Sequence, residues 1–136
     1  MSRLATTPDE FMDLLRSRHG VMMVERSESH PGEFKERPDQ AGGYIFVLPT
    51  LVEGTLIEGF DRIQQLDTAW ERSLMTMWVV AEVHPFVDGN GRMARIAMNA
   101  ELHSAGLSRN IIRSCSAATT WAVSIGSPET TTRRST

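Results

Sequence analysis

With a single cysteine, Cys115, in 136 residues, the chain can form neither an internal disulfide nor a cysteine metal cluster. A reducing cytoplasmic location is the expectation. Long apolar runs are missing too. The longest, residues 75–81, stops at Glu82, far short of the ~20 residues of a membrane span. The opening MSRLATTPDEF contains no apolar stretch of the signal-peptide kind. Excess charge of one sign is also absent. A net charge of -3 argues against a generally basic nucleic-acid binder, although a local basic pocket is compatible with it. Neither nucleic acid nor a membrane is therefore expected as a partner. Internal repeats are not visible. What remains is 40% hydrophobic and 23% charged residues, an ordinary globular balance in a length that suits one domain with one modest core. The eight methionines are read as fillers of core gaps.

Along the chain, Thr6 or Thr7 caps a first helix, with Pro8 in its first turn and Asp9 and Glu10 favouring its dipole. Phe11, Leu14, Leu15, Arg18 and Val21 or Met22 follow helical spacing. A loop rich in Pro, Gly and charge follows. Within it GEFKER and GGYIFVLP read as two short strands joined by a turn near residues 38–43. Pro49 and Thr50 start a second helical pattern with Leu51, Leu56, Phe60 and Ile63 inward. Asp67 or Thr68 caps a third, whose Trp70, Leu74, Met77, Trp78 and Ala81 predict a helix buried nearly all round. A fourth runs through RMARIAMNAELHSAG, with Gly106 as its C-cap. The fold expected is mainly α, a helical bundle carrying a small β-hairpin.

Between the third and fourth helices lies HPFVDGNGRMAR, residues 84–95. Gly89 and Gly91 let backbone N–H groups turn inward and approach a ligand. A helix starting there points its free amides and positive dipole end at the same spot, which makes an anion site of the phosphate-binding type. Arg92 and Arg95 stand one helical turn apart, so two guanidinium forks can serve a polyphosphate. Asp88 offers a hard oxygen, and Mg²⁺ beside phosphate oxygens needs only one or two carboxylates. His84, with an ordinary pKa near ~6.5, can take a proton at neutral pH. Phe86 points into the core and anchors the loop. Each of these alone has a bland reading, a cap, a turn or a solvated face, but their fixed spacing favours a site. His19, His30 and His103 are read as structural.

The stretch resembles the signature of the Fic family, of the Fic/DOC superfamily, HPFx[D/E]GNGRxxR, at every specified position: His84, Pro85, Phe86, Asp88, Gly89, Asn90, Gly91, Arg92 and Arg95. The similarity extends over residues 8–112, within a domain core of residues 1–112, with residues 33–47 as a flap over the active-site loop. The resemblance implies a protein adenylyltransferase, moving AMP from Mg-ATP to a Ser, Thr or Tyr hydroxyl of a target protein laid along the flap. It makes His84 the general base and Asp88 the Mg²⁺ ligand. It makes Gly89, Asn90 and Gly91 the anion hole, with Asn90 orienting the α-phosphate. Arg92 and Arg95 would contact the β- and γ-phosphates, and Phe86 is counted among the nucleotide-binding positions. The Doc toxin branch, which phosphorylates its target, has lysine where Gly91 stands, so glycine favours AMP transfer. Removal of AMP is a further activity of the family.

Two departures from the family stand out. Many Fic proteins carry an inhibitory helix, [S/T]xxxE[G/N], whose glutamate would pair here with Arg95. TLVEG and TLIEG have one residue too few between Thr and Glu. Restraint would then come from an antitoxin in trans or from a missing N-terminal portion, the latter favoured. After RNII the family continues with something like PTVYRDDYL, whereas residues 113–136 are crowded with Ser and Thr. Suitable codons for RSCSAATTWAVS, read one base out of frame, give PVVFRDDYLGGL. The tail is read as a frameshift product, or alternatively as a divergent disordered segment. A remnant that binds nucleotide without turnover, and an interaction module using the flap edge alone, are the competing expectations for function.

Overall fold

Thr7 opens the first helix: its backbone is extended and its side-chain oxygen accepts the Glu10 N–H at 3.2 Å. Helix α1 then runs Pro8–Met22, burying Phe11, Met12, Leu15 and His19. The structure, a computed structural model, describes residues 4–111. The readings made for residues 113–136 lie outside the described residues.

After a short 3₁₀ turn at Ser27–Ser29 the chain enters the flap. Its hairpin is smaller than the sequence predicts. Strands β1, Gln40–Ala41, and β2, Tyr44–Ile45, pair antiparallel in the register Gln40↔Ile45 and Ala41↔Tyr44. Gly42 and Gly43 make the turn, Gly42 at φ 60. GEFKER is not a strand. The Lys35 N–H is given to the Pro85 carbonyl at 2.8 Å, and Pro38 has no N–H to offer a ladder. That segment is tied to the motif loop instead of to the hairpin.

A 3₁₀ turn at Pro49–Leu51 leads into helix α2, Val52–Gln64. Leu51, expected inward, is 56% exposed because it precedes the regular helix, and Val52 takes the buried place. Gly59 lies against the following helix, where an added Cβ would sit 2.6 Å from Val79 Cγ1. Helix α3, Ala69–Val83, starts with a reciprocal capping box between Thr68 and Glu71. It is not buried all round. Ser73, Thr76, Val79, Val80 and Val83 face the core, while Trp70, Leu74 and Trp78 are 49%, 41% and 45% exposed. The apolar residues cover two sides of this helix, and its helical neighbours take only part of that surface.

Helix α4, Asn90–Ser104, packs along α3. It closes at Gly106, φ 72, where the Leu107 N–H reaches back to Leu102 O at 2.9 Å. Leu15, Leu56, Ile63, Val80, Val83, Phe86, Met93 and Ala97 meet in one core between the four helices. Each large side chain buried there contributes about 1.5–3 kcal/mol. The result is a mainly helical bundle of four helices with a small antiparallel hairpin, the fold class expected. Among the described residues no helix is long and apolar enough to cross a membrane.

Candidate functional site

His84 sits where α3 has to stop. Pro85 lacks an N–H, and His84 itself takes the left-handed conformation at φ 52, rare for a side chain of this size. Such backbone strain in a non-glycine residue collects at functional positions. Its Nδ1 lies 3.3 Å from the Ala81 carbonyl, which can only accept, so Nδ1 carries the hydrogen and Nε2 presents a lone pair. The imidazole stacks on Phe46 of the flap with ring centroids 3.8 Å apart and planes 14° from parallel. Nε2 faces Asp39 Oδ2 at 3.6 Å. Burial lowers the His84 pKa below the ordinary value, with Asp39 beside it acting in the opposite direction. At neutral pH the ring is an unprotonated base.

The loop after His84 is held from below. Phe86 has no exposed surface and packs between Phe34 and His19, the latter stacked on it at 3.8 Å with planes 2° apart. Its core anchoring is as the residues predict. The wholly buried ring fixes the shape of the loop from beneath. Asn90 is similarly committed. Its Oδ1 accepts the Phe86 N–H at 2.8 Å and its Nδ2 donates to the Phe86 carbonyl at 2.7 Å. Asn90 is 2% exposed, and its carboxamide closes the loop on itself.

His19 is the supporting residue whose importance the sequence concealed. It is fully buried on α1, and its Nδ1 accepts the Gly32 N–H at 3.0 Å. Nε2 therefore carries the hydrogen and donates to the Asp88 carbonyl at 2.9 Å. One ring thus ties the flap's entry to the motif loop. The signal was present in its spacing four residues after Leu15 on the buried face.

Gly89 turns the loop at φ 80 and precedes the first residue of α4, so the unpaired amides of that helix open beside it. Asp88 Oδ1 accepts the Gly89 N–H at 2.7 Å, while Oδ2 faces Arg26 Nη1 at 3.4 Å and Arg92 Nη2 at 3.9 Å. Its side chain is 49% exposed. Gly91 is exposed on the first turn, where an added Cβ would meet only Arg95 Nη1 at 3.9 Å. Arg92 and Arg95 line one cleft of about 690 Å³, together with Arg18, Asn99, His103 and Arg109. Arg18 and Arg109 in the cleft, and Arg26 beside Asp88, were not anticipated. Among the described residues no three His, Cys, Asp or Glu side chains gather into a metal site. The donor set fits a cation that one carboxylate shares with phosphate oxygens and water, as Mg²⁺ allows.

The profile of the Fic/DOC family matches residues 11–102. A Fido domain-containing protein of Dictyostelium discoideum is 35% identical over 80 residues, covering 55% of this chain and 56% of that protein. The crystal structure of a Fic domain containing signaling protein from Bacteroides thetaiotaomicron aligns with a TM-score of 0.64 at 25% identity. That alignment covers 75% of this chain and 42% of the other. The chain spans about half the length of these relatives.

Proposed function

We propose that this chain, which belongs to the Fic/DOC family, transfers AMP from Mg-ATP to a Ser, Thr or Tyr hydroxyl of a target protein. The observation that carries the reading is the arrangement around one loop. His84, with its Nε2 lone pair, stands at the loop's start, and an amide-lined helix N-terminus and two arginines follow it.

In this reading Nε2 takes the hydroxyl proton as the oxygen attacks the α-phosphorus. A new O–P bond forms, the bond to the β-phosphate oxygen breaks, and pyrophosphate leaves. The backbone amides from Gly89 through the first turn of α4 meet the charge that grows on the α-phosphate. Arg92 and Arg95 hold the β- and γ-phosphates inside a cleft whose volume suits a nucleotide. Asp88 would hold Mg²⁺, which would supply charge neutralisation to the phosphates. The hairpin leaves Tyr44 and Ile45 exposed, an edge along which target backbone adds as a further strand. Gly91 leaves its turn free of the lysine that marks phosphate-transferring relatives. Restraint would reach Arg95 from an inhibitory helix or an antitoxin in trans, and the working compartment would be the cytoplasm.

The test incubates the folded full chain with α-labelled ATP, Mg²⁺ and a cell lysate. Label on protein is expected, and His84→Ala should lower its rate by about 10²–10⁴-fold. No label from a folded chain, or label that survives in His84→Ala, contradicts the assignment.

A further inference from the structure

Two charged flap residues reach the general base without a part in the reaction described above. Lys35 has a side chain only 1% exposed, and its Nζ donates to the Val83 carbonyl at 3.4 Å and to Asp39 Oδ1. A buried ammonium needs such partners, and Asp39 supplies the carboxylate beside it. The other oxygen of Asp39 is the one that lies 3.6 Å from His84 Nε2. The charged groups facing the imidazole are thus Asp39 and Lys35 from the flap segment and Asp88 from the motif loop.

We infer that Asp39 is a positioning residue for His84, aimed by its contact with buried Lys35, and that it stabilises the imidazolium formed during transfer. The inference rests on His84 being the base. Before the reaction, Nε2 bears a lone pair and the carboxylate oxygen beside it has no hydrogen to share, so the pair gains little. When the hydroxyl O–H bond breaks and the proton moves to Nε2, the same two atoms become donor and acceptor of opposite charge. An interaction that strengthens as the proton moves lowers the barrier, whereas one equally strong beforehand would not. The proton stays on Nε2 and later leaves to water. Phe46 stacked on the ring and Ala81 O on Nδ1 keep the imidazole plane from swinging away.

The test follows the His84 imidazole by NMR through a pH titration of the full chain, wild type against Asp39→Asn, alongside the pH profile of kcat. Asparagine keeps an oxygen for Lys35 while removing the charge. His84 should titrate at lower pH in the variant, because the partner of its charged form is gone. The kcat should fall by about 10- to 100-fold with KM for ATP unchanged, and Asp39→Glu should recover part of the loss. A second variant, Lys35→Met with Asp39→Leu, removes both charges and should lower the titration in the same direction. An unmoved midpoint in both variants overturns the inference, as does a moved midpoint with unchanged kcat. The titration needs no turnover, so a chain that transfers no AMP would count against the activity while the His84–Asp39 coupling is still decided.

Discussion

Replacing His19 with alanine strikes the one side chain that joins the flap's entry to the motif loop. The ring is fully buried, stacked on Phe86 at 3.8 Å and bonded at both nitrogens. Emptying its space costs about 2–4 kcal/mol where the walls do not collapse. The Gly32 N–H and the Asp88 carbonyl each lose a partner, about 1–3 kcal/mol apiece if dry and less if water enters. The terms sum to about 4–10 kcal/mol if the site stays dry, against a whole stability of ~5–15 kcal/mol for an ordinary domain. Urea unfolding followed by circular dichroism reads it as a lower midpoint at unchanged slope. His19→Gln, able to keep one of the two bonds, should fall between. The same residue gives a pH signature. Burial depresses its pKa in the fold, so its contribution is complete above the unfolded value of about 6.5 and is lost as pH falls towards and through the folded value. A loss below about 1 kcal/mol in His19→Ala, or a folded variant that binds Mg-ATP as tightly as wild type, would refute the reasoning.

Gly59→Ala should cost about 1–3 kcal/mol, because the new methyl lands 2.6 Å from Val79 Cγ1 and must push α2 from α3; thermal melting checks it. Gly89→Ala combines a left-handed φ of 80 with a Cβ 2.8 Å from Met22 Cε, so calorimetry should show both a lower melting temperature and weaker Mg-ATP binding. The acid limb of kcat/KM should lie below the ordinary histidine pKa of about 6.5, since burial lowers the His84 value. A limb above that value would mean another group sets the profile.

Local chemistry made much of the bundle readable from the chain. Thr7 and Thr68 announce their helices because a cap is settled by residues three positions away. Gly106 does the same at the far end of α4. The motif was readable for a related reason: its residues are contiguous, so spacing alone puts an aspartate, two glycines and two arginines around one helix start. Other features depend on neighbours that sequence distance hides. Which sides of α3 are covered depends on where α2 and α4 lie, so Trp70 and Trp78 were misjudged. GEFKER alternates too weakly to reveal that Lys35 turns inward to Asp39 and Val83. Asn90 and Phe86 carry a signature spacing, yet only the fold shows that they serve the loop by closing it on itself. His19 meets Asp88 across 69 residues of chain, a distance that no local pattern encodes.

The central claim is that the cleft presents the α-phosphate of ATP, and not the γ-phosphate, to a hydroxyl beside His84. Parallel reactions with α-labelled and γ-labelled ATP on the same target test it most directly. The account predicts protein-bound label from the α-labelled nucleotide alone, with γ-label recovered in pyrophosphate. Protein-bound label from the γ-labelled nucleotide would reverse the nucleotide in the cleft and contradict the account.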